Sequence, residues 1–68
     1  ARRAYQWAIR LEVDGTLAPD LRRLLRDLRM GLHVAMGRKT PDAEEAMGRL
    51  LREARQIADG WGLEGLPE

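Results

Sequence analysis

A run of leucines at helical spacing constrains the fold of this chain more than any other feature. Between residues 17 and 36 the apolar side chains recur every three or four positions, as they do in a helix with one buried face. The stripe consists of Leu17, Leu21, Leu24, Leu25, Leu28, Leu32 and Ala35 or Met36. Thr16 as N-cap and Pro19 in the first turn predict where this helix begins.

Gly31 interrupts the stripe, at a cost of about 1 kcal/mol relative to alanine. An alternative therefore ends the helix near Met30 and makes the segment "LHVAM" a second short strand. We favour one long helix, because the apolar stripe stays in phase on both sides of Gly31.

The segment "GRKTPDAEEA" predicts a turn followed by a second helix. Gly37 is expected to close the first helix in a left-handed conformation. Thr40 is the predicted N-cap of the next helix, Pro41 takes its first position, and acidic residues follow where the helix dipole favours them. The apolar stripe of this helix comprises Ala43, Ala46, Met47, Leu50, Leu51, Ala54, Ile57, Ala58 and Trp61.

Gly60 is expected to end the second helix. The tail, residues 60–68, contains further glycines and a proline, so it is predicted to be irregular. Trp61, Leu63 and Leu66 are the tail residues expected to pack against the core.

Residues 5–13 show a different pattern, a strict alternation of two sides. One side carries Tyr5, Trp7, Ile9, Leu11 and Val13, and the other carries Gln6, Ala8, Arg10 and Glu12. Apolar side chains at period two predict a strand with one buried face. Asp14 and Gly15 then provide a tight turn.

These elements predict a mainly α fold, a single β-α-α domain over residues 1–59 followed by the tail. A lone strand leaves its backbone N–H and C=O groups unpaired. We therefore expect a homodimer in which strands 5–13 of two subunits pair antiparallel, or an upstream strand if the chain is a fragment. The predicted dimer and core positions are Tyr5, Trp7, Ile9, Leu11, Val13, Leu21, Leu25, Leu28, Leu32, Met47, Leu50, Leu51 and Ile57.

Self-association or docking on a larger partner is also expected from the size of the chain. A domain of 68 residues buries a modest fraction of its surface and usually needs additional stabilisation. The sequence contains no cysteine, and His33 is its only histidine, so neither disulfides nor a structural metal are expected.

Charge is unevenly distributed although the net charge is only +1. Residues 1–39 carry nine Arg or Lys and four Asp or Glu, a net +5, whereas residues 40–68 carry three and seven, a net −4. Such asymmetry is typical of a polyanion-binding surface, and equally of two halves that attract each other. No apolar run is long enough to cross a membrane and no secretory signal is visible, so a cytoplasmic location is expected.

Catalysis is not expected from the residues present. The stretch "LEVDGTL" resembles the first motif of haloacid dehalogenase-type phosphatases, but Glu12 stands where that family has its nucleophilic aspartate. Asp14, Gly15 and Thr16 are explained by turn and capping preferences. The chain has no serine or cysteine nucleophile, and no cofactor is expected.

The order of strand, helix, capped turn and helix resembles the ribbon-helix-helix DNA-binding proteins of the Arc and MetJ type. The resemblance implies an antiparallel ribbon, "QWAIRLEV", that enters the major groove of duplex DNA. Gln6, Ala8 and Arg10 would then face the bases. The residues of the turn, Arg38, Lys39 and Thr40, would lie where the second helix meets phosphate. The implied function is a small dimeric transcriptional regulator or an antitoxin-like protein.

The alternative hypothesis is a non-catalytic protein-interaction or assembly module without nucleic-acid binding. A strand and two amphipathic helices can add to the sheet edge or groove of a partner. The charge asymmetry would then match a charged protein surface.

Overall fold

Three helices form the fold of this chain. The computed structural model describes residues 2–67, and the ends of the predicted domain and tail at residues 1 and 68 lie outside that range. The helices are α1, Arg2–Glu12; α2, Pro19–Met36; and α3, Pro41–Trp61. No β-strand occurs in residues 2–67.

The predicted strand over residues 5–13 is wrong, because this segment forms helix α1. Ala4, Trp7 and Ala8 are buried and Leu11 is half-buried, which is the i, i+3, i+4, i+7 spacing of a helix face. The same segment satisfies the period-two pattern only if Ala8 is counted as an outward position. A helix forms its backbone hydrogen bonds within itself, and α1 is a helix. The expected homodimer through paired strands 5–13 therefore cannot form.

The side chains of the predicted strand face are spread around helix α1. Trp7 is buried, Tyr5 and Ile9 are half-buried, and Val13 is 76% exposed just beyond the end of the helix. Since a residue advances about 100° around a helix, every second position cannot stay on one side. The core position assigned to Val13 is therefore wrong.

Helix α2 is one continuous helix through Gly31, as its apolar stripe predicts. The alternative of a second strand over "LHVAM" is wrong. The N-cap is Ala18, which makes no side-chain cap, and not Thr16. Gly37 ends the helix with φ −80°, in the right-handed region, so the expected left-handed closure does not occur.

Thr16 instead belongs to the turn between α1 and α2. Its backbone N–H and its hydroxyl both donate to Asp14 Oδ1, over 3.0 Å and 2.7 Å. These hydrogen bonds lower the pKa of the Asp14 carboxyl below its usual 3.8. The two hydrogen bonds therefore contribute fully to stability at pH values above 3.8. This contribution is lost as the pH falls through the lower pKa that Asp14 has in the folded state.

Helix α3 begins as predicted and ends one residue later than expected. The Thr40 hydroxyl accepts a hydrogen bond from the Ala43 N–H over 3.2 Å, and Pro41 follows the cap. The helix ends at Trp61, past Gly60. Gly62 supplies the left-handed C-cap with φ 67°, a conformation that costs glycine little.

The core surrounds helix α2, on which both α1 and α3 pack. Leu25, Leu28 and Leu32 are its largest fully buried side chains. Of the predicted core positions, the buried ones are Trp7, Leu21, Leu25, Leu28, Leu32 and Ile57, and the half-buried ones are Tyr5, Ile9, Leu11, Met47 and Leu50. Leu51 is exposed.

The irregular tail joins α1 to α3. The indole N–H of Trp7 donates to the backbone oxygen of Glu64 over 3.1 Å, and Leu63 and Leu66 pack against the core as expected. Leu66 also lines a small cavity with Leu51 of α3. Trp61 stays 46% exposed, so its predicted burial is only partial.

Truncation of the central leucine should test the core. Leu28→Ala is expected to lower the free energy of unfolding by about 2–5 kcal/mol, because it leaves a cavity at a fully buried site. The matched control on the same helix is Leu24→Ala, at an exposed position, with an expected loss of about 1 kcal/mol or less. Chemical denaturation of both variants measures the difference, and equal losses would contradict this core.

A second pair of variants tests whether residues 2–12 are helical. Ala8 is fully buried and Gln6 is exposed, whereas a strand would place both on its outer face. Ala8→Arg is expected to cost about 2 kcal/mol or more, because the new side chain does not fit between the helices. Gln6→Arg should change stability by no more than about 0.5 kcal/mol. If thermal denaturation shows both substitutions to be harmless, the helical assignment fails.

Candidate functional site

The structure separates the residues predicted to contact DNA. Gln6 and Arg10 are exposed on α1, but Ala8 is buried and cannot face a ligand. Arg38 and Lys39 are exposed in the turn between α2 and α3. The Thr40 hydroxyl accepts a hydrogen bond within its own helix cap.

Arginines also cluster at the start of helix α2. Arg22, Arg23 and Arg26 are exposed and line a shallow pocket together with Glu12 and Pro19. We call these three arginines the arginine face. Arg22 and Arg26 are four residues apart, one turn of helix or about 6 Å along its axis. The Arg22 Nε–H donates to the backbone oxygen of Glu12 over 3.2 Å, so α1 helps to position this side chain.

One ion pair joins α1 to α2 beside the arginine face. Arg29 Nε and Nη2 donate to the Glu12 carboxylate over 2.5 Å and 3.3 Å, with both side chains partly buried. This two-point contact raises the pKa of Arg29 above its usual value, chiefly through the hydrogen bond to Glu12. Arg29 is thus neutralised by Glu12, and its charge is not part of the arginine face.

Within residues 2–67, the other cations of the first two helices and the following turn form no ion pair. Within residues 2–67, ion pairs join Arg29 to Glu12 and Arg55 to Asp59. The cations of α1, α2 and the following turn without an ion pair in this part of the chain are Arg2, Arg3, Arg10, Arg22, Arg23, Arg26, Arg38 and Lys39. Exposed guanidinium groups outside ion pairs keep donors for an external acceptor, and Arg22 keeps those other than the Nε–H that contacts Glu12.

An apolar groove runs between helices α2 and α3. We call it the α2–α3 groove; it is lined by Met30, Gly31, Val34, Ala35, Arg38, Asp42, Ala43, Ala46, Arg49, Leu50 and Glu53. Met30 and Val34 are each 52% exposed on its α2 side. The charged members, among them Arg38 and Asp42, are exposed. The groove therefore combines exposed apolar side chains with charges of both signs.

Small residues create the α2–α3 groove. A Cβ atom added at Gly31 would lie 3.0 Å from Leu50 Cδ2, so glycine allows a close approach of Leu50 to the α2 backbone. Ala43 and Ala46 carry only methyl groups on the α3 side.

No three His, Cys, Asp or Glu side chains within residues 2–67 are grouped so that they could hold a metal ion. His33 is exposed, and its ring centroid lies 6.0 Å from that of Tyr5. No helix in residues 2–67 has the length and apolar character needed to cross a membrane.

Comparison with other proteins does not assign a family to this chain. No protein-family model, curated protein sequence or solved structure matches it. The arginine face and the α2–α3 groove are the features of this chain that bear on its function.

The excess of Arg and Lys in residues 1–39 indicated a basic surface, but the groove was not predicted. The available signal was the exposed position of Met30 and Val34 beside the apolar stripe, together with Gly31 and two alanines of α3. These residues form a groove only when α2 and α3 lie side by side, so their spacing in the sequence alone does not predict it.

The Glu12–Arg29 pair yields a prediction about stability. Glu12→Gln is expected to lower the thermal midpoint, because it removes the charged partner of a partly buried arginine. Glu45→Gln makes the same chemical change at an exposed position of α3 and should leave the midpoint almost unchanged. Thermal unfolding followed by circular dichroism measures both, and equal midpoints for the two variants would contradict this role.

Proposed function

We propose that this chain is a small, non-catalytic nucleic-acid-binding module that uses the arginine face to contact the phosphate backbone. The observation that carries the proposal is the arginine face itself, three exposed guanidinium groups on one turn of helix with no ion pair in the described residues. Planar guanidinium groups donate two parallel hydrogen bonds to phosphate oxygens, which makes arginine well suited to this ligand.

The distribution of charge supports one orientation of this module on nucleic acid. Helix α3 carries five acidic residues, all of them exposed, so it would be repelled by phosphate. Helices α1 and α2 carry most of the unpaired arginines, with α1 adding Arg2, Arg3 and Arg10. The proposed contact is therefore made through α1 and α2, with α3 directed away from the phosphates.

The proposal differs from the ribbon mechanism that the sequence resemblance implies. A ribbon needs two paired strands, and residues 2–67 contain none. Contacts to phosphate position a protein on a duplex and do not depend on base sequence. The proposed activity is accordingly binding without strong sequence preference, and it is sensitive to salt.

The test is titration of random-sequence duplex DNA at several salt concentrations. The informative variant is Arg23→Ala with Arg26→Ala, which removes two charges of the arginine face. Arg52→Ala with Arg55→Ala removes the same number of charges from α3. We expect the first variant alone to weaken binding markedly and to reduce the slope of log affinity against log salt by about 0.9 for each lost phosphate contact.

Two results would contradict the proposal. One is an unmodified protein that does not bind duplex or single-stranded nucleic acid at low salt. The other is an equal loss of affinity in the two double variants, which would show that net charge matters and the arginine face does not.

A second candidate function, a protein-interaction module, is favoured by a separate observation. Met30 and Val34 expose half of their surface in a groove that no residue of the described chain covers. Exposed apolar side chains grouped in a depression are typical of protein contacts. This function would use residues nearer the C-terminal end of α2 than the arginine face, so it does not exclude the first.

A further inference from the structure

We infer that the α2–α3 groove is the interface of a homodimer, in which the grooves of two copies face each other. The dimer has a two-fold axis parallel to the helices, so that α2 of each copy packs on α3 of the other. This inference is independent of nucleic-acid binding, because it uses other residues. It also differs from the strand-mediated dimer, which has no strand in residues 2–67.

The apolar residues on the two sides of the groove face each other under this symmetry. Helices α2 and α3 are antiparallel neighbours, with Gly31 beside Leu50. A two-fold axis parallel to the helices keeps every residue at its own height and exchanges α2 with α3 across the interface. By the Gly31–Leu50 register, Val34 of one copy then lies near the height of Ala46 of the other, and Met30 near the height of Leu50.

The charges at the end of the groove are complementary under the same symmetry. Arg38 on the α2 side and Asp42 on the α3 side both line the groove near the turn that joins these helices. Exchange of α2 with α3 brings Arg38 of one copy to Asp42 of the other, and the symmetry repeats that pair. Neither residue has an ion pair within residues 2–67, so both are available for this contact.

The alternative two-fold axis, perpendicular to the helices, fits the groove less well. It would pack α2 on α2 and α3 on α3, antiparallel in each case. Arg38 and Asp42 of one copy would then be carried to the opposite end of the groove from those of the other copy, so these charges would not meet.

A dimer interface buries additional surface, which stabilises a small protein. A chain of 68 residues buries a smaller fraction of its surface than a larger domain does. A net charge of +1 causes little repulsion between two copies. A second copy is therefore an occupant that the apolar groove, the charges at its end and the size of the chain all favour.

The first test measures mass in solution across a wide range of protein concentration. The unmodified chain is expected to form a dimer that dissociates on dilution. Val34→Lys should give a monomer at every concentration, because it places a charge in the apolar interface. Val13→Lys is the matched control, the same substitution at an exposed valine outside the groove, and should leave the dimer intact.

Circular dichroism of both valine variants shows whether they keep the helical fold, as expected for exposed positions. A chain that stays monomeric at the highest concentration overturns the inference. So does an equal loss of the dimer in Val34→Lys and Val13→Lys.

The second test uses charge reversal and mixing. Arg38→Glu and Asp42→Lys should each weaken the homodimer roughly tenfold, because two exposed pairs become repulsive. A mixture of the two variants should form a heterodimer as strong as the original homodimer, since both pairs then have opposite charges. Repulsion within one chain cannot explain that recovery. A mixture in which no heterodimer forms overturns the proposed symmetry.

Discussion

The fold depends on the burial of one apolar face of helix α2. Leu25, Leu28 and Leu32 are fully buried on that face, and both other helices pack against it. Helices α1 and α3 are linked further by the tail, through the hydrogen bond from Trp7 to the Glu64 backbone. In so small a chain, where net stability is a small difference between large terms, loss of this face removes the common support of α1 and α3.

Helices α2 and α3 could be predicted from the sequence because their determinants are local. The apolar stripe of α2 continues in phase across Gly31, and the Thr40 cap with Pro41 defines the start of α3. These signals act over a few residues, and the packing of the three helices does not oppose them. The Glu12–Arg29 pair could not be predicted in the same way, because its residues approach only when α1 folds back on α2.

Helix α1 shows why the N-terminal segment was misassigned. Its apolar side chains satisfy period two, but Ala4 and Ala8 complete a helical stripe that is equally regular. An alanine contributes little to either pattern, so the sequence alone does not decide between them. Packing decides, because Ala8 is fully buried, and on a strand it would lie opposite the apolar side. The position of Ala8 inside the protein also removes it from any binding surface.

The two candidate surfaces use different exposed residues of helix α2. Arg22 near the N-terminal end of α2 contacts Glu12 of α1, and Arg23 and Arg26 lie within about one turn of it. Nearer the C-terminal end, Met30 and Val34 line the groove with α3. Arg26 and Met30 are four residues apart, about one turn of helix, so the two surfaces are neighbours that share no residue. Self-association and polyanion binding are thus compatible on a single three-helix chain, because they use different lengths of helix α2.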